Sequence, residues 1–125
     1  MKARKEEVIV KKDACVEGPY RYWLSREWNA DKPVCLFVML NPSTADDKED
    51  DRTVKRCVKF AERFGSRRFG AMEIVNLFAF RTTYPSDLRT AWRDGVDIVG
   101  PENDRVIRER AAEADFIIVA WGNGG

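Results

Sequence analysis

The chain contains no histidine. That single absence removes Ser-His and Cys-His nucleophilic catalysis, imidazole general bases and histidine-ligated zinc together. Cysteine is scarce as well. Cys15, Cys35 and Cys57 form an odd set without CxxC spacing, which speaks for reduced thiols rather than a disulfide framework. No apolar run approaches the ~20 residues of a membrane span, and the opening "MKARKEEVIVKK" lacks the apolar centre of a signal peptide. A cytoplasmic protein that avoids the membrane is therefore expected. Nor is there an excess of one charge sign: 22 basic against 21 acidic residues leave +1, so any attraction to nucleic acid or lipid has to be local.

What is present suffices for a folded body. The chain has 125 residues, 44% hydrophobic and 34% charged, which argues against disorder and for a single α/β domain spanning 1–125. Val8 to Val16 and Tyr20 to Trp28 read as strands joined by a Gly-Pro turn, an antiparallel N-terminal hairpin. In the second of these, Tyr20, Tyr22, Leu24 and Trp28 alternate with Arg21, Ser25 and Glu27, which implies one half-buried face. "VCLFVML" (Val34 to Leu40), "AMEIVNLFAF" (Ala71 to Phe80) and "DFIIVAW" (Asp115 to Trp121) lack alternation, as expected of strands covered on both faces of a parallel sheet.

Between them the period turns helical. Val54, Cys57, Val58, Ala61 and Phe64 share one face, with Asp50 or Asp51 as N-cap and Gly65 as stop. A short helix is expected near Ser86 to Trp92, and another opened by Gly100 and Pro101 and running to about Ala114. The expected architecture has three layers, helices on both sides of a mainly parallel sheet, with right-handed crossovers.

In such sheets the carboxyl ends of the strands gather at one edge, where ligands bind. "LNPST", "NLFAFRTT" and "WGNGG" put Asn41, Asn76, Arg81 and Asn123 there, with Ser43, Thr44 and Trp121 beside them. An asparagine amide carries donors and an acceptor in one plane, which suits a nucleobase edge or a held water. Pro42 stiffens the exit of its strand and biases Asn41 toward extended backbone, although Asn-Pro also opens ordinary turns. Asn76 interrupts an apolar run and so needs partners, in a ligand or in a neighbouring loop. Arg81 is the anion-binding candidate of this edge. The run Asp46, Asp47, Glu49, Asp50, Asp51 either holds a divalent cation or forms a solvated loop and helix cap. The stripe Arg52, Arg56, Lys59, Arg63, continued by Arg67 and Arg68, either follows a phosphate backbone or is the solvated face of a helix.

"MLNPSTADDKEDDRTVKRCVKFAERFG", "VNLFAFRTTYP", "VGPENDRVI" and "AWGNGG", in that order, resemble the domain of unknown function 1643 family of small bacterial and phage proteins. That family in turn resembles the uracil-DNA glycosylase superfamily, where an Asp-Pro or Asn-Pro motif handles the attacking water, an Asn on a second strand reads the base, and a later strand ends in Trp-Gly. Carried over, the resemblance implies a uracil-DNA-glycosylase-like fold. It makes Asn41 the catalytic, water-placing residue and Asn76 the base reader, with Trp121 and Gly122 as the third motif and Phe78 or Phe80 as a stacking ring. The implied partner is a nucleobase, nucleotide or DNA, the implied reaction hydrolysis of an N-glycosidic bond, and no cofactor is needed. The chain departs from that pattern at Met39 or Leu40 and at Ser43. The superfamily's His-Pro loop and closing strand and helix also have no counterpart before Gly125, so the C-terminal strand is expected to be missing. The competing expectations are a non-catalytic module that forms homo-oligomers and a metal-assisted hydrolase using Asp46, Asp47, Asp50 and Asp51.

Overall fold

The computed structural model of the protein describes residues 8–64 and 69–121. Eight elements follow in order: β1 (Lys11–Glu17), β2 (Tyr20–Glu27), β3 (Val34–Met39), α1 (Arg52–Arg63), β4 (Ala71–Asn76), α2 (Pro85–Arg93), α3 (Asn103–Glu113) and β5 (Phe116–Val119). The strands form one mixed sheet in the order β1-β2-β4-β3-β5. β3 runs parallel to both β4 and β5, which gives the two expected crossovers, through α1 and through α2 and α3.

The expectation of a mainly parallel sheet with a separate hairpin is corrected. β2 pairs antiparallel with β4, Leu24 opposite Ile74, so the hairpin is an integral half of the sheet, with two antiparallel ladders against two parallel ones. Gly18 supplies the positive φ of +56° that the hairpin turn requires.

One bulge decides which residues of β2 are buried, and where. Cys15 pairs with Trp23 and Val16 with Arg21, so Tyr22 is skipped. An extra residue shifts side-chain parity along the strand. Tyr22 packs with Leu36, Val75, Ala79 and Val106 on the α3 side, and Trp23 joins it there. Leu24 and Trp28 pack on the other side with Val54, Cys57, Ala61, Phe37 and Ile74. The single alternating face expected of this strand is thus replaced by two, and Arg21 and Arg26 are both buried.

Two cores flank the sheet. α1 lies over one face through Val54, Cys57 and Ala61, and Asp51 caps it by accepting from the Val54 N–H at 2.9 Å. α3 packs over β2 and β4 on the other face. β5 ends the strand order and is an edge strand, not a third strand buried on both faces: Ile117 and Val119 are 46% and 56% exposed. β4 also ends earlier than expected, at Asn76 instead of Phe80. The following residues turn back so that Phe80 bridges Tyr20 at the start of β2. The expected stop at Gly65 lies outside the described residues. Among the described residues no helix is long and apolar enough to cross a membrane.

Candidate functional site

The carboxyl ends of β3 and β4 lie side by side, Met39 opposite Asn76. Beyond that pair the two exit loops stay zipped together. The Leu77 and Phe78 N–H groups donate to the Met39 and Leu40 carbonyls, and the Thr82 N–H donates to the Pro42 carbonyl at 2.9 Å. The Asn41 amide is fixed within this seam, its Nδ2 donating to Thr82 Oγ1 at 2.7 Å and to the Phe80 and Pro42 carbonyls. Since Nδ2 is committed, the Asn41 amide oxygen is the group left to face a ligand or water.

Three arginines hold the loop that follows. Arg21 Nη1 donates to the Ala45 carbonyl at 3.0 Å. Arg26 Nη2 donates to the Asp46 and Glu49 carbonyls at 2.6 and 3.2 Å, and its Nε donates to Asp50 Oδ1 at 2.7 Å. Arg81 donates from Nε and Nη2 to the Ser43 and Thr44 carbonyls, both at 3.0 Å. A guanidinium suits this work because its planar fork of five donors can satisfy several carbonyls at once.

The acidic run is absorbed by the same loop. Asp46 Oδ1 accepts from the Lys48 and Glu49 N–H groups, which holds its carboxyl below the usual range. Asp50 pairs with Arg26 and Lys12, and Asp51 caps α1. Among the described residues no group of three or more His, Cys, Asp or Glu side chains is gathered as a metal would need. Asp46, Asp50 and Asp51 are thus engaged within the loop and the helix cap.

Inside the seam lies a cavity of about 40 Å³ lined by Arg21, Asn41, Pro42, Ser43, Asp51, Thr53 and Asn76, with apolar walls from Met39, Val54 and Ile74. Two of these side chains are buried with a polar atom that has no partner among the described residues: Arg21 Nε and Asn76 Oδ1. Arg21 is 3% exposed and Asn76 1%. Burial pushes the Arg21 guanidinium down to about 10, against the pull of Asp51, with Arg81 and Arg26 adding to the depression. It stays a cation at neutral pH, but an under-solvated one, and an unmet donor and acceptor in a buried place are costly to leave so.

Asn103, at the start of α3, is the second buried amide. Its Nδ2 donates to the Asn76 and Leu77 carbonyls at 2.8 and 3.2 Å, which fixes the backbone on which Asn76 is carried.

The structure thus brings Asn41, Asn76 and Ser43 to one cavity and distributes the other expected site residues elsewhere. Arg81 and Thr44 border a shallow depression with Gly18, Pro19, Thr82 and Thr83. Phe78 lines an apolar cleft of about 310 Å³ with Leu40, Leu88, Trp92 and Ile98. Phe80 sets its ring edge-on against Tyr20 at 6.2 Å. Trp121 is 41% exposed and does not line the cavity; Gly122 and Asn123 lie outside the described residues, as do Arg67 and Arg68. Arg21, Arg26 and Asn103 were missed from the sequence. The signal for Arg21 was the unbroken trio Tyr22-Trp23-Leu24, which no strict alternation accommodates and which marks the bulge; the signal for Arg26 was its place midway between Leu24 and Trp28 on one face of the strand.

The family model described as "Protein of unknown function (DUF1643)" matches residues 21–125, and the chain belongs to that family. No curated protein and no solved structure matches it.

Proposed function

We propose that this member of a family of unknown function binds a nucleobase or nucleotide at the carboxyl edge of β3 and β4. One observation carries the reading: buried Arg21 and Asn76 line one cavity and keep between them one unused donor and one unused acceptor. A donor and an acceptor carried by one lining would complement the –CO–NH– edge of a lactam base such as uracil or hypoxanthine, the carbonyl taken by Arg21 Nε and the N–H by Asn76 Oδ1. About 40 Å³ is room for one water-sized group or the polar edge of a ring, so the body of the base rests at the mouth beside Asn41 and Ser43.

The same placement supports a hydrolytic extension in which the N-glycosidic bond of the bound nucleotide is cleaved. The Asn41 amide oxygen would hold the attacking water, Asp51 is the carboxylate within the lining, and a base in duplex DNA would have to be flipped out to reach it. The likeness to the uracil-DNA glycosylase superfamily belongs to this proposal.

The test is a thermal-shift screen against uracil, hypoxanthine, nucleotides and short DNA. A ligand at about a hundred times its Kd adds roughly 2.7 kcal/mol to stability, a shift that is easily read. The reading expects stabilisation by a lactam base that disappears in Asn76→Ala. A folded protein indifferent to every base and nucleotide would refute it. A second reading, a non-catalytic module that pairs with another copy of itself, is favoured by the apolar residues along edge strand β5: Ile117, Val119 and Trp121. Light scattering decides it, since a monomer at working concentration would exclude such pairing.

A further inference from the structure

The outer face of α1 carries charge of nearly one sign. Arg52, Lys55, Arg56, Lys59 and Arg63 stand against the single acid Glu62, in a chain whose overall balance is +1. α3 is built differently. There Arg105 is bridged to Glu102 and Glu109, and Arg110 to Glu73. Among the described residues Arg52, Lys55, Arg56 and Lys59 enter no ion pair, and all four are exposed. Like charges three, four and seven residues apart share a helix face and repel, so the stripe is a cost to the isolated fold. An anionic partner would relieve it.

Each end of the stripe meets a feature that a polynucleotide could use. At its start, Asp51, Thr53 and Val54 line the cavity that holds buried Arg21 and Asn76. At its far end, Lys59, Phe60, Arg63 and Phe64 line an open depression of about 370 Å³. Phe60 is 44% exposed there, its ring 5.0 Å from that of Phe64. Aromatic rings set among cations form a stacking place for unpaired bases. Arg63 lies eleven positions beyond Arg52, about 16 Å along a helix axis. A stacked strand advancing about 3.4 Å per nucleotide covers that distance in about five nucleotides.

We infer that α1 is the track of a single-stranded polynucleotide, whose phosphates lie against Arg52, Arg56 and Lys59, with one base stacked on Phe60 and another presented to the cavity at the helix start. This rests on the base-binding reading above and extends it from a free base to a polymer. A single strand is favoured over duplex because a base must be unstacked to meet the Phe60 ring.

Fluorescence anisotropy of a labelled oligothymidylate of about twelve nucleotides, titrated at several salt concentrations, tests the track. The triple variant Arg52→Gln, Arg56→Gln, Lys59→Gln is expected to weaken binding at least about tenfold and to flatten the log–log salt slope by about 2, since each phosphate contact to a single strand contributes roughly 0.7. Phe60→Ala is expected to weaken binding about tenfold with the salt slope unchanged, as loss of stacking requires. All four substitutions fall at exposed positions, and circular dichroism confirms the fold. Wild-type affinity in the triple variant, no effect of Phe60→Ala, equal competition by polyglutamate, or tighter binding of duplex than of single strand would each overturn the inference. Asn76→Ala separates the two proposals: it abolishes stabilisation by free uracil and leaves the charge and Phe60 dependence of oligothymidylate binding in place.

Discussion

Replacing Arg26 by methionine should cost this fold more than any other single change at a charged residue of β2. The side chain is fully buried and makes five hydrogen bonds, to Asp50 Oδ1 at 2.7 Å and to the carbonyls of Ser25, Asp46, Glu49 and Asp13 at 2.8, 2.6, 3.2 and 3.4 Å. Removing one partner of a buried ion pair costs about 3–5 kcal/mol, mostly because the other charge is left without compensation. Here the Asp50 carboxylate keeps 20% exposure and lies 3.4 Å from Lys12, so the low end, about 3 kcal/mol, applies. Urea unfolding followed by circular dichroism should show that loss, and the thermal midpoint should fall by about 9–15 °C for a chain of this size. Adding Asp50→Asn to Arg26→Met should recover about 1 kcal/mol or more, because the orphaned charge is then gone. A loss below about 1 kcal/mol for Arg26→Met would refute the claim that this guanidinium holds the 46–50 loop.

Three further outcomes are expected. Gly70→Ala should destabilise by roughly 3 kcal/mol or prevent folding, since a Cβ there would overlap the Asn29 carbonyl oxygen and crowd Lys32; expression and melting of the variant check this. Asp51→Ala removes the α1 cap and should cost about 1 kcal/mol in urea unfolding, with a separate loss of ligand-induced stabilisation if the cavity binds as proposed. Burial pushes the Cys35 and Cys57 thiols up to about 12, above their value in the unfolded chain. The protonated form is thus favoured by folding, so this part of the stability is complete below about pH 9 and is lost as pH rises from there toward 12. Melting midpoints should fall through that window, and a thiol reagent at pH 8 should find these two cysteines only after denaturation.

The elements that sequence reasoning located best are those whose burial is periodic or complete. Val54, Cys57 and Ala61 mark α1 and its face, Asp51 its cap, and the apolar runs of β3 and β4 their pairing at one edge, which sets Asn41 and Asn76 in the lining of one cavity. The bulge at Tyr22 was harder to see. A strand that changes faces halfway has no single period, so Arg21 read as solvated when it in fact lines the cavity. β5 reads as buried because its composition is that of a central strand, whereas its place at the end of the strand order leaves Ile117 and Val119 exposed. Arg81 read as an anion site from its place at the sheet edge. Its use in binding the Ser43 and Thr44 carbonyls depends on loop geometry that no local pattern encodes.

The most direct test of the central claim is a nitrogen-15 NMR titration with uracil, following the Arg21 Nε–H resonance together with the Asn76 and Asn41 side-chain amides. If the cavity reads a lactam edge, the Arg21 Nε–H and Asn76 signals shift in parallel with one binding constant, while amides in β1 and α2 stay in place. If uracil leaves Arg21 and Asn76 unmoved at saturating concentration, the unused donor and acceptor do not form a base-binding site, and the account fails at its centre.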